Sequence, residues 1–327
     1  MHCRAWCRVD LAGGTLDIWP LGLAFPDART VNVAIDVAVR LTLVPSPDGR
    51  YRIRQGGGEV IASSPDALSV ADETALIGVF AGALDLPPFE LDLASDSPRG
   101  GGLGGSSAIG VAFLALAEEV FDLPRSSAAE RTHLARDLEA RLMGLPTGLQ
   151  DHYPALLGGA LEILHQPGGE QVRRLAVDLD ALSDHLLLID TGASHFSAGQ
   201  NWQVVRRFLE RDVEVVSALG KIALVAEAMS EPLERNDFPE AGRLLRREWQ
   251  ARSRLAEGIS TPKIEELLDR SAALGGWGGK ACGAGAGGCV ALLVPAERKR
   301  EIAAEMEKAG GRVVPARAVS GPLELFD

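Results

Sequence analysis

No stretch of this sequence approaches the roughly 18 consecutive apolar residues that a membrane-spanning helix requires, so a membrane partner is not expected. Its opening residues, MHCRAWCRVD, carry no apolar run of the kind that follows the charges of a signal peptide. Cysteine is scarce: Cys3, Cys7, Cys282 and Cys289 form no C-x-x-C pair and have no histidine at zinc-finger spacing. Reduced, buried thiols in a cytoplasmic protein are the expectation. Positive charge is also short. The formal net charge is −12 and the pI about 5.1, a balance that excludes the basic surface on which nucleic-acid phosphates are bound. Such a balance leaves room for an anionic small molecule, which needs only a local positive site. The Walker A pattern G-x-x-x-x-G-K-[ST] is missing, and neither internal repeats nor low-complexity tracts occur.

What is present is a chain of 327 residues, long enough to divide into two domains. Its first half alternates strand and helix signals. Strands are expected over 5–11, 31–43, 51–53, 60–62 and in FELDLASD, with helices over 71–84, over 106–121 and from the capping box Ser127-x-x-Glu130 to Met143. The second half reads as strands LEILHQ and HLLLIDTG and helices over 198–229, 239–257 and 262–274. The strand CVALLV, a helix over 296–309 and the strand RVVPARA follow. The class is α+β, and the division falls between 1–164 and 165–327.

The most informative stretch is PRGGGLGGSSA, Pro98 to Ala108. Gly100, Gly102 and Gly105 satisfy G-x-G-x-x-G, but a long helix follows where the dinucleotide fingerprint needs a βαβ unit. A phosphate site survives that objection. Backbone N–H groups stripped of side chains approach an anion closely, and a helix starting at Ser106 aims its free amides there. Two more motifs flank it at a distance: RVDLAGGTLD, Arg8 to Asp17, and KACGAGAGGCVALLV, from Lys280.

In order and spacing, the three motifs resemble those of the GHMP kinases, the superfamily of galactokinase, homoserine kinase, mevalonate kinase and phosphomevalonate kinase. The A-G-G-x-x-D form of the first motif is most similar to bacterial heptose-phosphate kinases, and DTGASHFSAG also resembles a galactokinase stretch. The resemblance implies a two-domain fold, with an N-terminal domain like domain 2 of ribosomal protein S5 and a ferredoxin-like C-terminal domain. It implies an ATP- and Mg²⁺-dependent transfer of the γ-phosphate to a hydroxyl of a sugar or sugar phosphate, most like the anomeric hydroxyl of a heptose 7-phosphate. A non-sugar alcohol kinase of the mevalonate or homoserine type, or a non-catalytic ATP- or sugar-binding regulator, are the alternatives.

The same resemblance assigns roles. Asp151 matches the catalytic aspartate, orienting the acceptor hydroxyl or taking its proton, and Arg8 the basic residue set against it. Pro98, Gly100, Gly101, Gly102, Leu103, Gly104, Gly105, Ser106 and Ser107 form the ATP phosphate loop, with Gly285 and Gly287 expected to pack on it. Glu139 and Ser106 match the Mg²⁺ ligands, although Arg136 and Arg141 beside Glu139 also fit an exposed helix acid. Asp17 matches the sugar-binding aspartate, with Gly14, Thr15 and His195 as further acceptor contacts. Gly14 and Thr15 stand where galactokinases carry a Glu-His pair, and the threonine sits one place earlier than in heptose kinases. Arg29 and Arg99 are candidates for a phosphate on the acceptor. His152 fits a side chain turned away from the site, and nothing in the sequence accounts for Trp277. The oligomeric state is not legible.

Overall fold

A computed structural model describes residues 1–327 except 72–73 and 194–196. The chain builds two sheets. β1 (His2–Ala12) and the long β2 (Arg29–Pro45) pair antiparallel, with register shifts at Trp6/Cys7 and Asp10/Ala12. The expected hairpin forms as β3 (Tyr51–Gln55) and β4 (Gly58–Ala62). The helix expected over 71–84 forms as α2 (Ala75–Ala83), and a short α1 (Pro65–Ser69), capped by Ser64 and not expected, precedes it. β5 (Phe89–Ser95) lies parallel to β3 and antiparallel to the far end of β2.

Next come α3 (Gly105–Val120) and α4 (Ala128–Met143), whose capping box makes both reciprocal bonds between Ser127 and Glu130. The buried α5 (His152–Leu157) was not expected. β6 (Ala160–Gln166) pairs with the near end of β2, and β7 (Gly169–Arg174) pairs with β6. α3 is apolar nearly all round because it lies between the sheet and other helices, and Phe80, Phe89 and Phe113 fill the core beneath it.

The second half opens with α6 (Leu179–His185) and β8 (Leu186–Asp190). The single helix expected over 198–229 is α7 (Ser197–Leu209) and α8 (Val213–Glu234). Arg211 at φ +59° breaks it, and Asp212 caps the new helix through the amides of Glu214 and Val215. α9 (Phe238–Arg252) returns antiparallel to α8, and α10 (Pro262–Ala273) starts at the expected Thr261 cap. β9 (Gly278–Ala281), β10 (Cys289–Leu293), α11 (Lys299–Lys308) and β11 (Arg312–Val314) complete an antiparallel sheet of order β11-β8-β10-β9. β12 (Glu324–Phe326) then returns to the edge of β1, so the first sheet draws strands from both sides of residue 164.

Trp277 acquires a reason here. Its side chain packs so closely on α9 that a Cβ at Gly242 would lie 2.5 Å from its own Cβ, and its ring stands 4.9 Å from His185. Arg246 of α9 donates to the carbonyls of Gly276 and Trp277.

A continuous apolar core joins the halves. Val9, Leu11 and Val33 of the first sheet meet Val225 and Met229 of α8, Leu245 of α9 and Ala291 of β10. All four cysteines are free and buried as expected, and burial pushes the Cys7 and Cys282 thiols up to about 12. This packing gathers the end of β1, the start of α3, the turn before α5 and the 282–289 loop at one place. Among the described residues no helix is long and apolar enough to cross a membrane.

Candidate active site

The glycine loop leaves β5 through a turn closed by the Gly101 amide on the Pro98 carbonyl (2.9 Å). Gly102 and Gly104 lie at φ +71° and +74°, a region that side-chain-bearing residues rarely enter. Space forbids a side chain there as well. A Cβ at Gly102 would stand 2.4 Å from the Cys282 carbonyl oxygen, and one at Gly104 would stand 3.1 Å from Asp151 Cβ. Gly104 is the N-cap of α3, and no side chain caps the helix. Its first amides, at Gly105, Ser106 and Ser107, are therefore left without a side-chain cap, the arrangement in which backbone and helix dipole can take an anion.

The third motif braces this loop, but not through the glycines expected. Gly283 lies against Gly102 and Gly288 against Gly100 and Gly101, and the Cys289 amide donates to the Gly101 carbonyl. Gly285 and Gly287 close instead on the Ile259 and Ala193 carbonyls. The residues that reach Gly100–Gly102 are those at the two ends of the β9–β10 loop, while its middle closes on the Ala193 and Ile259 carbonyls.

Arg8 is buried beneath the loop. Its backbone amide donates to Leu103 O (2.9 Å), its Nη1 to Gly102 O (2.5 Å), and its Nε and Nη2 to Asp151 Oδ1 (2.9 and 2.5 Å). Burial opposes its charge, but Asp151 and Asp10 outweigh that and raise its pKa further. Asp151 keeps 26% of its side chain exposed and its Oδ2 free of these bonds. One carboxylate oxygen is thus fixed by Arg8 while the other faces the open side, below the start of α3.

Glu139 is not a solvated helix acid; it is buried on α4. Its Oε2 accepts from the Ser107 hydroxyl (3.1 Å) and lies 3.4 Å from His152 Nε2, while Oε1 is buried without a hydrogen-bond partner among the described residues. Ser107, not the exposed Ser106, is therefore the hydroxyl brought to Glu139. A carboxylate with a spare oxygen beside a hydroxyl at a phosphate-binding helix start fits Mg²⁺, which takes one or two protein oxygens with phosphate and water. His152 is turned inward, as its sequence neighbourhood allowed. Burial lowers its basicity, but Glu139 reverses that and raises its pKa.

Asp17 is buried 133 residues away in sequence from its partner, accepting from the Gln150 amide through Oδ2 (3.1 Å). Gly148 is equally close, since a Cβ there would overlap Asp17 Oδ2. Its Oδ1 is buried with no hydrogen-bond partner among the described residues. Desolvation dominates and pushes its pKa up to about 6. Asp17 and Asp151 thus flank residues 148–150 from two sides. His195 lies outside the described residues. Arg29 donates to Glu162 and to the Asp27 carbonyl rather than standing free.

Sequence reasoning missed a second layer. Asp10, Lys280, Glu248 and Arg252 are all buried and joined: Lys280 Nζ donates to Asp10 and, at 3.3 Å, to Glu248. Arg252 Nε and Nη2 both donate to Glu248 Oε1 (2.9 and 2.5 Å). The remaining donors of Arg252 reach Thr15 Oγ1 (2.9 Å) and Gly14 O (2.6 Å), and Asp10 also accepts from the Gly283 amide (3.2 Å). Burial favours protonation of Asp10, but Lys280, Arg8 and Arg252 prevail and hold it below the usual carboxylate range. Asp10 and Lys280 lie inside the first and third motifs, so that much was within reach of the sequence. Glu248 and Arg252, at i and i+4 of EWQAR, look like any solvated helix pair.

Residues 70–159 match the GHMP kinases N terminal domain and residues 227–312 the GHMP kinases C terminal domain. The chain is 29% identical to a galactokinase of Mycobacterium tuberculosis, over 92% of this chain and 91% of that protein. It is 26% identical to the D-glycero-alpha-D-manno-heptose 7-phosphate kinase of Campylobacter jejuni, over 94% and 93%. In fold it is similar to a D-glycero-D-manno-heptose 1-phosphate kinase from Bacteroides thetaiotaomicron, with a TM-score of 0.76, 23% identity and coverage of 100% and 99%.

Proposed function

Because the chain belongs to the GHMP kinase family, we propose that it transfers the γ-phosphate of ATP to a hydroxyl of a sugar or sugar phosphate. The finer reading is the anomeric hydroxyl of a heptose 7-phosphate-like acceptor, supported by the A-G-G-x-x-D motif and by likeness to the Campylobacter enzyme. The observation that carries the proposal is the Arg8–Asp151 pair set against a helix start with no side-chain cap, with the Asp17 Oδ1, unpartnered among the described residues, alongside.

Each residue has a task that follows from its surroundings. The amides of Gly105, Ser106 and Ser107 take phosphate oxygens, with Gly100 to Gly104 keeping the approach open. Glu139 and Ser107 would hold Mg²⁺, which would supply positive charge against the transferring phosphoryl group. Arg8 holds Asp151 Oδ1 through two hydrogen bonds and adds positive charge under the loop. Asp151, with one oxygen tied, turns the other to the acceptor hydroxyl, orienting it and accepting its proton; such help is worth about 10²–10⁴ in rate. Asp17 accepts from a second acceptor hydroxyl, which restores the hydrogen bond its Oδ1 lacks. Arg29 is engaged with Glu162, so a phosphate on the acceptor must be met elsewhere.

The test is ADP release from Mg-ATP across free hexoses, uronic acids, heptoses and their terminal phosphates, run beside Asp151→Asn. Turnover on one sugar class that vanishes in the variant supports the reading. ATP binding without turnover on any of them refutes it and favours a regulator or a non-sugar acceptor.

A further inference from the structure

Two buried carboxylates, Asp10 and Glu248, and the partly exposed Asp151 face three buried cations, Lys280, Arg252 and Arg8, around the end of β1. Stability alone is a poor account of such a cluster. Replacing a buried ionic group with apolar residues of like volume is often neutral or stabilising, because desolvation offsets the attraction. Where the network ends is more informative. The two Arg252 donors that leave it go to the carbonyl of Gly14 and the hydroxyl of Thr15.

That turn is strained. Thr15 lies at φ +76°, a costly backbone for a β-branched residue, which persists where the surroundings over-determine it. Gly14 is hemmed in: a Cβ there would stand 2.8 Å from Asp10 Oδ2 and 3.1 Å from Arg252 Nη2. From Thr15 the chain makes two tight turns, Leu16 N–H to Gly13 O and Ile18 N–H to Thr15 O (both 3.1 Å), and these deliver Asp17.

We propose that Arg252, locked by Glu248, Lys280 and Asp10, is the positioning residue for the 13–18 turn. Through it helix α9 and strand β9, in the second half of the chain, set where Asp17 meets the acceptor. The proposal rests on the kinase reading for its consequence on acceptor binding, but not for its claim about the turn. Arg252 touches neither substrate; it acts through Gly14 and Thr15.

Two readouts test it on the full-length protein. Hydrogen exchange by NMR or mass spectrometry follows the amides of Leu16 and Ile18. Arg252→Lys keeps the charge but not the fork, and loses one or two charge-assisted bonds, so exchange in the turn accelerates by about tenfold or more while α3 is unchanged. With the acceptor found by the sugar panel, its KM rises by about the same factor while the ATP KM stays within about twofold. Thr15→Val removes one bond at the far end of the network and gives a smaller shift of the same kind, and Thr15→Ser restores it. In the double variant the effects are less than additive, whereas a Thr15 acting by direct acceptor contact gives additive ones. Turn protection unchanged in folded Arg252→Lys overturns the proposal, as does an equal rise in both KM values. If Arg252→Lys does not fold, Thr15→Val against Thr15→Ser decides by the same exchange measurement. Should no sugar be phosphorylated by the parent protein, the kinase reading fails while the exchange data still judge the turn.

Discussion

Asp17 carries a cost that its neighbours do not. Arg8, Arg252 and Lys280 are each bonded to a carboxylate, whereas among the described residues Asp17 has only the Gln150 amide and is pushed from 3.8 to about 6. A shift of about 2 units corresponds to about 3 kcal/mol. The sign follows from proton counting. Between pH 4 and 6 the folded chain holds a proton on Asp17 that the unfolded chain has released, so stability falls as pH rises through that window. Above pH 6 the full penalty of a buried, unpaired carboxylate is present. Asp17→Asn keeps the shape and an oxygen for the Gln150 amide but removes the charge. The variant is expected to match the parent near pH 4 and to exceed it by up to about 3 kcal/mol at pH 7.5. At roughly 2 cal/mol/K of unfolding entropy per residue, that is a rise of about 4 °C in Tm. Differential scanning calorimetry at the two pH values measures it. At pH 7.5 the same variant should bind the acceptor at least about tenfold more weakly, since an amide is a poorer partner for a hydroxyl than a carboxylate. A Tm gain with an affinity loss is the trade expected of a site held ready for ligand. A lower Tm at pH 7.5, or a difference that does not grow from pH 4 to 7.5, refutes the argument.

Asp151→Asn should lower kcat by about 10²–10⁴ with little change in ATP affinity, measured by coupled ADP release and nucleotide titration. Glu139→Gln should shift the Mg²⁺ midpoint of activity upward by about tenfold or more, and chelation should silence the parent protein reversibly. Gly102→Ala forces a Cβ to within 2.4 Å of the Cys282 carbonyl at positive φ. It should cost at least about 1–3 kcal/mol in urea unfolding and weaken ATP binding, whereas Gly57→Ala, in the open β3–β4 turn, should leave ATP binding unchanged.

Much of this site is legible in sequence because its chemistry is local. A glycine loop between a strand and a helix states its purpose through composition, and the Arg8, Asp17 and Asp151 signals each sit in a short motif. The α10 start is likewise readable, since Thr261–Pro262 is a local signal, whereas the serine expected to open α3 does not cap it and left-handed Gly104 takes that place. The failures are of another kind. The break at Arg211–Asp212 carries no glycine or proline, only a left-handed arginine and an aspartate whose capping role depends on the helix after it. The choice of Ser107 over Ser106 depends on which way α3 is rotated against α4, which one helix alone does not determine. Glu248 and Arg252 become buried only because α9 packs on β9 and β1.

The buried charges tie the two halves of the chain together at the candidate site. The glycine loop and α3 come from one segment of the first half, but Gly283, Gly288 and Cys289 of the second half brace that loop. The turn that bears Asp17 leaves β1 and is tied to Arg252 on α9, and Asp10, one strand residue from Val9, is tied to Lys280 on β9. Arg8 and Asp10 flank Val9 on the same short strand, one bonded to Asp151 and the other to Lys280. Any displacement of β1 would move the catalytic pair and the acceptor turn together, which keeps Asp151 and Asp17 in fixed relation while the ligand between them varies. Under the proposed function, acceptor choice follows what α9 and the 13–18 turn permit, and phosphoryl transfer what the loop and Arg8 hold. Substitutions at Arg252 and Asp151 should therefore divide cleanly, the first acting on acceptor KM and the second on kcat.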